Sequence, residues 1–144
     1  MWKKFLNSHP LFKECVEILN ARILPLEEDK NFSDLFKQLF PITEWGKIDW
    51  EKIDRKIEVG YDPLDIIPTL KKLLGKNFDK SVYILWSDGG MPLIQTNIDA
   101  IVNNFDDVTC VAFEKFIFNS DIASIIEVLP GNKITVGVIP QIHA

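Results

Sequence analysis

The sequence predicts an α+β fold: a helical N-terminal part packed on one largely antiparallel sheet, formed mainly by residues 81–139. Three observations carry that reading. Apolar residues recur at helical spacing through the first half of the chain. Apolar runs of strand length dominate the second half. No linker, internal repeat or low-complexity stretch interrupts the 144 residues, a length that suits one core, so residues 1–144 read as a single domain.

The elements follow in order. Leu11, Phe12, Cys15, Val16 and Leu19 fall on one helical face, with Ser8 as a cap and Pro10 in the first turn. Arg22 to Leu26 is a short strand weakened by Pro25. Glu27, Glu28, Asp29 and Lys30 read as a solvated loop. Phe32, Leu35, Phe36, Leu39 and Phe40 then form an amphipathic helix, capped by Asn31 or Ser33 and stopped by Pro41. Residues 41–61 are the least periodic. Asp62-Pro63 opens a third helix that ends at Gly75 and either kinks or restarts near Pro68.

After Asp79 the character changes. Ser81 to Trp86 is a continuous apolar run suited to a central strand. Asp88-Gly89-Gly90 reads as a turn and Met91 to Gln95 as a second strand. Thr96 or Asn97 caps a helix bearing Ile98, Ile101, Val102 and Phe105, with Thr96 and Asp99 close to a capping box. Val108 to Phe113 and Phe116 to Phe118 read as strands. Ser124–Leu129 and Lys133–Ile139 form a hairpin around Pro130-Gly131-Asn132, where Gly at the second central position suits a type II turn.

Composition excludes some functions. Net charge is −5, with 21 acids against 16 bases, which disfavours direct binding of nucleic acid. Residues 73–144 hold 8 acids and 4 bases, so the sheet half carries most of the excess. No apolar run follows Lys3 and Lys4, so no signal peptide is expected. The longest uncharged run, Ile134 to Ala144, is too short to span a bilayer. A cytoplasmic protein with no membrane contact is expected, and Cys15 and Cys110 read as two reduced core thiols, with a single disulfide as the alternative because spacing does not fix their separation.

A search for catalytic groups gives none. His9 and His143 lie in opposite terminal segments, and two Cys with two His show no metal-ligand spacing. Gly89-Gly90 lacks the remaining residues of a phosphate loop. Asp49, Glu51 and Asp54 are interleaved with Lys47, Lys52, Arg55 and Lys56, as in a solvated mixed-charge segment. No catalytic residue, cofactor or metal is therefore assigned. Trp45 and Trp50 can be core rings, the commoner fate of Trp, or exposed anchors for a partner.

Several segments resemble bacterial contact-dependent growth inhibition (CDI) immunity proteins. They are Trp86-Ser87-Asp88, Met91-Pro92-Leu93-Ile94-Gln95-Thr96-Asn97, Gly46-Lys47-Ile48-Asp49-Trp50, Asp107-Val108-Thr109, Phe116-Ile117-Phe118-Asn119 and Ile134-Thr135-Val136-Gly137. The resemblance covers most of the chain from Gly46 onward. It implies a small cytosolic protein that blocks the C-terminal toxin domain of its own cell's effector, often a nuclease and sometimes one that cleaves tRNA, without cofactor; a 1:1 complex with a basic toxin domain is the expected form. The shared positions are mainly apolar or turn residues, so the resemblance carries no interface residue. Charge and loop position select Asp88, Asp106, Asp107, Glu114 and Asp121, with Trp45 as an aromatic anchor, for a basic partner. Two other readings remain open. One is a small enzyme using Asp88 with Asp49 or Asp54. The other is an adaptor or oligomerisation domain pairing through an edge of the Ile125–Ile139 hairpin.

Overall fold

A computed structural model describes residues 3–86, 90–121 and 123–139. Seven strands form one sheet: β1 (Arg22–Ile23), β2 (Arg55–Gly60), β3 (Ser81–Trp86), β4 (Ile94–Asn97), β5 (Lys115–Asn119), β6 (Ser124–Val128) and β7 (Ile134–Val138). Their order is β1-β4-β3-β5-β6-β7-β2, and every pairing is antiparallel. The α+β expectation holds, with β3 to β7 supplying the centre. Helices cover both faces. On one face α1 (Lys3–Ser8), α2 (Pro10–Ile18), α4 (Ile66–Leu74), α5 (Ile98–Asn103) and α6 (Phe105–Thr109) bury Phe12, Cys15, Ile66, Leu70, Ile98, Ile101 and Val108 against Ile84, Ile117, Ile126 and Val136. On the other, α3 (Leu26–Leu39) and the segment 40–53 bury Phe36, Phe40, Ile48 and Ile53 against Phe116, Phe118 and Ile125.

Alternation along the strands explains the two clusters. Successive side chains point to opposite faces, so Ile117 joins the first core while Phe116 and Phe118 join the second. Both faces of β5, β6 and β7 are buried, hence their near-continuous apolar sequence. The Pro130-Gly131 turn forms as expected. Gly131 has φ +84°, and the Asn132 amide donates to the Leu129 carbonyl at 2.8 Å.

Several local expectations are corrected. Glu27 to Lys30 is not a loop. The α3 helix starts at Leu26 after Pro25, and Glu27, Glu28 and Asp29 fill its first turn, where carboxylates meet the positive end of the helix dipole. Asp29 also accepts the Leu93 amide at 2.7 Å, tying that turn to the chain before β4. Neither Asn31 nor Ser33 is the cap. His9, not Ser8, precedes α2, because Ser8 closes the separate helix α1. The charged segment 55–60 is the strand β2. A 3-10 turn (Pro63–Asp65) capped by Asp62 precedes α4, and Pro68 fits the first turn of α4, where amides lack intrahelical partners. Asn97, rather than Thr96, caps α5 through the Ala100 amide, and Asp99 pairs with Lys80 at 3.1 Å.

Val108 to Phe113 is not a strand. Phe105 and Val108, three apart, are the buried positions of α6, and Cys110 lies exposed at its end. Only Cys15 is a core thiol. The β6–β7 hairpin has no free edge, since β5 flanks β6 and β2 covers β7. The sheet's edges are β1 and β2 instead, which removes the hairpin edge as an oligomerisation surface.

Candidate functional site

The end of the sheet where β3 finishes and β5 begins gathers the most unusual side chains. Its outer part is the turn Thr43–Lys47. The Thr43 amide donates to the Lys47 carbonyl at 2.7 Å, the Gly46 amide donates to the Thr43 carbonyl, and the Thr43 hydroxyl accepts the Lys47 amide at 3.2 Å. Gly46, at φ +78°, lets the chain turn this tightly. The Ile42–Ile48 bridge closes the base of the turn. Trp45 is thereby held at the tip with 84% of its surface exposed, which settles it as outward-facing rather than core.

Inside the turn lies a groove of about 390 Å³. Phe36, Leu85 and Phe116 contribute apolar lining, and Trp45, Lys47 and Glu114 contribute its polar and aromatic members. Phe36 packs on Phe116 and Phe118 with ring centres 5.7 and 5.1 Å apart, so one wall is continuous with the core. Lys47 reaches Glu114 at 3.3 Å across the opening. Phe113, next in sequence to Glu114, is 81% exposed. Two large rings standing in water at one end of a small domain form an apolar feature that a partner would cover.

Buried charge lies beneath this surface. Glu127 on β6 is 5% exposed and accepts the Trp50 indole N–H at 3.0 Å. Burial pushes its carboxyl above the usual range. The Trp50 hydrogen bond opposes that shift, and the charge of Glu114 adds to it. Lys115 is 2% exposed and donates to the Phe113 carbonyl at 3.4 Å, and burial holds its ammonium below the usual range. Beside it on β3, the Trp86 indole N–H is buried and has no partner among the described residues.

The raised carboxyl makes a pH prediction. The unfolded chain releases the Glu127 proton at the ordinary carboxylate pKa, and the folded chain only at a higher pH. The folded state therefore holds more protons across that window, and stability from this group falls as pH rises through it. Glu127→Gln keeps an acceptor for Trp50. It should be at least as stable as wild type at neutral pH and flatten the mild-acid slope, as followed by urea midpoints from about pH 4 to 8.

Of the residues selected from sequence, the fold brings Trp45 and Glu114 together. Asp106 and Asp107 are exposed in the first turn of α6, whose buried residues belong to the core on the other face of the sheet. Asp121 sits in the β5–β6 turn, at the opposite end of β5 from Glu114. Asp88 lies outside the described residues, as does His143. The acids thus do not form one contiguous cluster. Glu114 is half of an ion pair rather than a free charge. Phe113 was missed because an apolar residue closing an apolar run reads as core.

Groups considered for catalysis are arranged for other ends. Burial, with the nearby Asp107 charge, pushes the Cys15 thiol up to about 12, far from a reactive thiolate. His9 stacks on Phe5 at 4.0 Å and its Nδ1 lies 2.9 Å from the Phe5 carbonyl, between α1 and α2. Asp49 pairs with Lys52 at 3.7 Å, and neither Asp49 nor Asp54 lines the groove. Among the described residues, no group of three His, Cys, Asp or Glu side chains could hold a metal ion, and no helix is long and apolar enough to cross a membrane.

A family model described as CdiI immunity protein EcoliA0-like matches residues 9–137. No curated protein matches the chain.

Proposed function

The chain belongs to the CdiI immunity protein family, so its partner is a CDI toxin, and we propose that it acts in the cytoplasm by binding the toxin's C-terminal domain one to one. We assign the contact to the end of the sheet that carries Trp45, Phe113 and the Lys47–Glu114 pair, with the exposed Asp106 and Asp107 of α6 as a separate acidic patch that steers approach. The exposed indole of Trp45 is the observation that carries this reading. The turn beneath it has its own hydrogen bonds, so the ring is not needed to fold the loop, and Trp is a frequent anchor at binding hot spots.

Charge supports a reading of the toxin's activity. A net charge of −5 and the exposed Asp106–Asp107 pair suit a basic partner, and a nuclease must be basic to hold its substrate. We therefore favour a nuclease toxin, with tRNA cleavage as the specific activity to assay. The immunity protein would act as a cover, with no cofactor or nucleic acid of its own.

The test is co-purification of the full chain with its tagged toxin domain, together with rescue of growth. A stoichiometric complex with rescue supports the reading, and failure of both refutes it. Asp106→Lys with Asp107→Lys should slow association by about tenfold at low salt, with the difference shrinking as salt rises. An unchanged on-rate in stopped-flow binding would remove the acidic patch while leaving the Trp45 contact standing.

A further inference from the structure

The edge strand β2 carries alternating charge along an open backbone edge. It ends the sheet, and its backbone pairs only with β7 among the described residues. Residues 55–58 run in unbroken register with 138–135, and the one irregularity lies beyond, between Glu58 and Gly60. Lys56 and Glu58 are exposed on one face of this strand, two residues apart and opposite in charge. Ile57 points to the other face, half-buried beside a groove of about 280 Å³ between β2 and α4. An open edge of this kind is a template for another strand.

We infer that the occupant is a second copy of this chain, paired antiparallel through β2 about a two-fold axis at Ile57. Register selects this pairing. Two-fold antiparallel pairing keeps each side chain opposite one on the same face, so the axis must pass through a residue. An axis at Lys56 sets Lys56 against Lys56, and one at Glu58 sets Glu58 against Glu58. Only the axis at Ile57 sets Lys56 against Glu58 twice, with Ile57 against Ile57 and Arg55 beside Val59 on the other face. Like charges penalise the neighbouring registers, so the pattern selects one alignment as well as permitting it. Lys56 remains able to do this. Its ammonium donates to the Trp50 carbonyl, which uses one of three N–H groups. Glu58 keeps 75% of its side chain exposed and meets Lys133 only at 4.0 Å.

The test uses the full-length protein and three samples. Wild type should dimerise in sedimentation equilibrium between about 1 μM and 1 mM. Lys56→Glu and Glu58→Lys should each weaken the dimer by about tenfold or more, because both cross-strand pairs become repulsive. An equimolar mixture of the two variants should recover it as a heterodimer, since all-acidic and all-basic edges then face each other. Amide exchange in wild type should show residues 55–58 gaining protection as concentration rises. A monomer across the whole range, a dimer indifferent to both substitutions, or a mixture that stays dissociated would overturn the assignment. So would protection of β2 that depends on added toxin and not on concentration, since that would give the edge to the toxin.

Discussion

Gly137→Ala is expected to destabilise the protein by about 2–4 kcal/mol. A Cβ at position 137 would stand 2.7 Å from Cζ3 of Trp50 and 3.2 Å from Cγ2 of Ile53. Neither neighbour can yield cheaply. Ile53 is fully buried, and the Trp50 indole is pinned by its hydrogen bond to Glu127. Moving the ring far enough to admit the methyl breaks that bond and leaves a buried carboxylate without its indole donor. The cost is therefore an overpacking penalty plus that of an unsatisfied acceptor. Urea denaturation checks it, and Trp50→Phe in the Gly137→Ala background should recover only the overpacking part of the loss, because Phe removes the clashing ring atoms but offers no N–H. An alanine variant within about 0.5 kcal/mol of wild type would show that Trp50 does not close over β7 in this way.

Trp45→Ala should do the reverse, leaving stability within about 0.5 kcal/mol while weakening toxin binding by about thirtyfold or more. The exposed indole contributes little to the core. At an interface its burial would be worth a hot-spot share of the affinity, expressed mainly as faster dissociation. Binding kinetics on the purified pair, beside a thermal melt of the variant alone, separates the two quantities. Equal affinity with an unchanged melt would move the contact away from this turn. A lowered melting temperature would mean that the ring supports the loop after all.

The sequence foretold the sheet better than its edges. Runs such as Ser81–Trp86 and Ser124–Val128 are apolar because they lie inside the sheet, so burial wrote them plainly into the chain. The edge strand β2 meets solvent along Lys56 and Glu58 and resembles a loop by composition, leaving only Ile57 and Val59 to mark it. Helix starts were hard for a similar reason. Glu27, Glu28 and Asp29 favour the first turn of α3 electrostatically, yet acids in a row read equally as a solvated loop. Val108 to Phe113 misled because its periodicity counts from Phe105, across a boundary drawn at Asp106. The site was legible in part. Trp45 is open in sequence to both a core and an anchor reading, and its exposure depends on hydrogen bonds within Thr43–Lys47 that spacing alone does not reveal. The pairing of Glu114 with Lys47 joins residues 67 positions apart, so only the fold shows that this acid is already neutralised.

The strand order also sets a timetable for synthesis. The two strands made first, β1 and β2, occupy opposite margins of the sheet, and among the described residues each pairs with one strand made much later. Arg55 pairs with Val138, and Arg22 with Gln95. As the chain leaves the ribosome, β2 has nothing to dock on until β7 emerges, and the 40–53 segment that presents Trp45 lies over a sheet that does not yet exist. Helices α1 to α3 are local in sequence, but the surface assigned to the toxin waits for β3 and β5 to emerge. Newly started chains therefore offer no protection, and immunity in a growing cell rests on copies already completed.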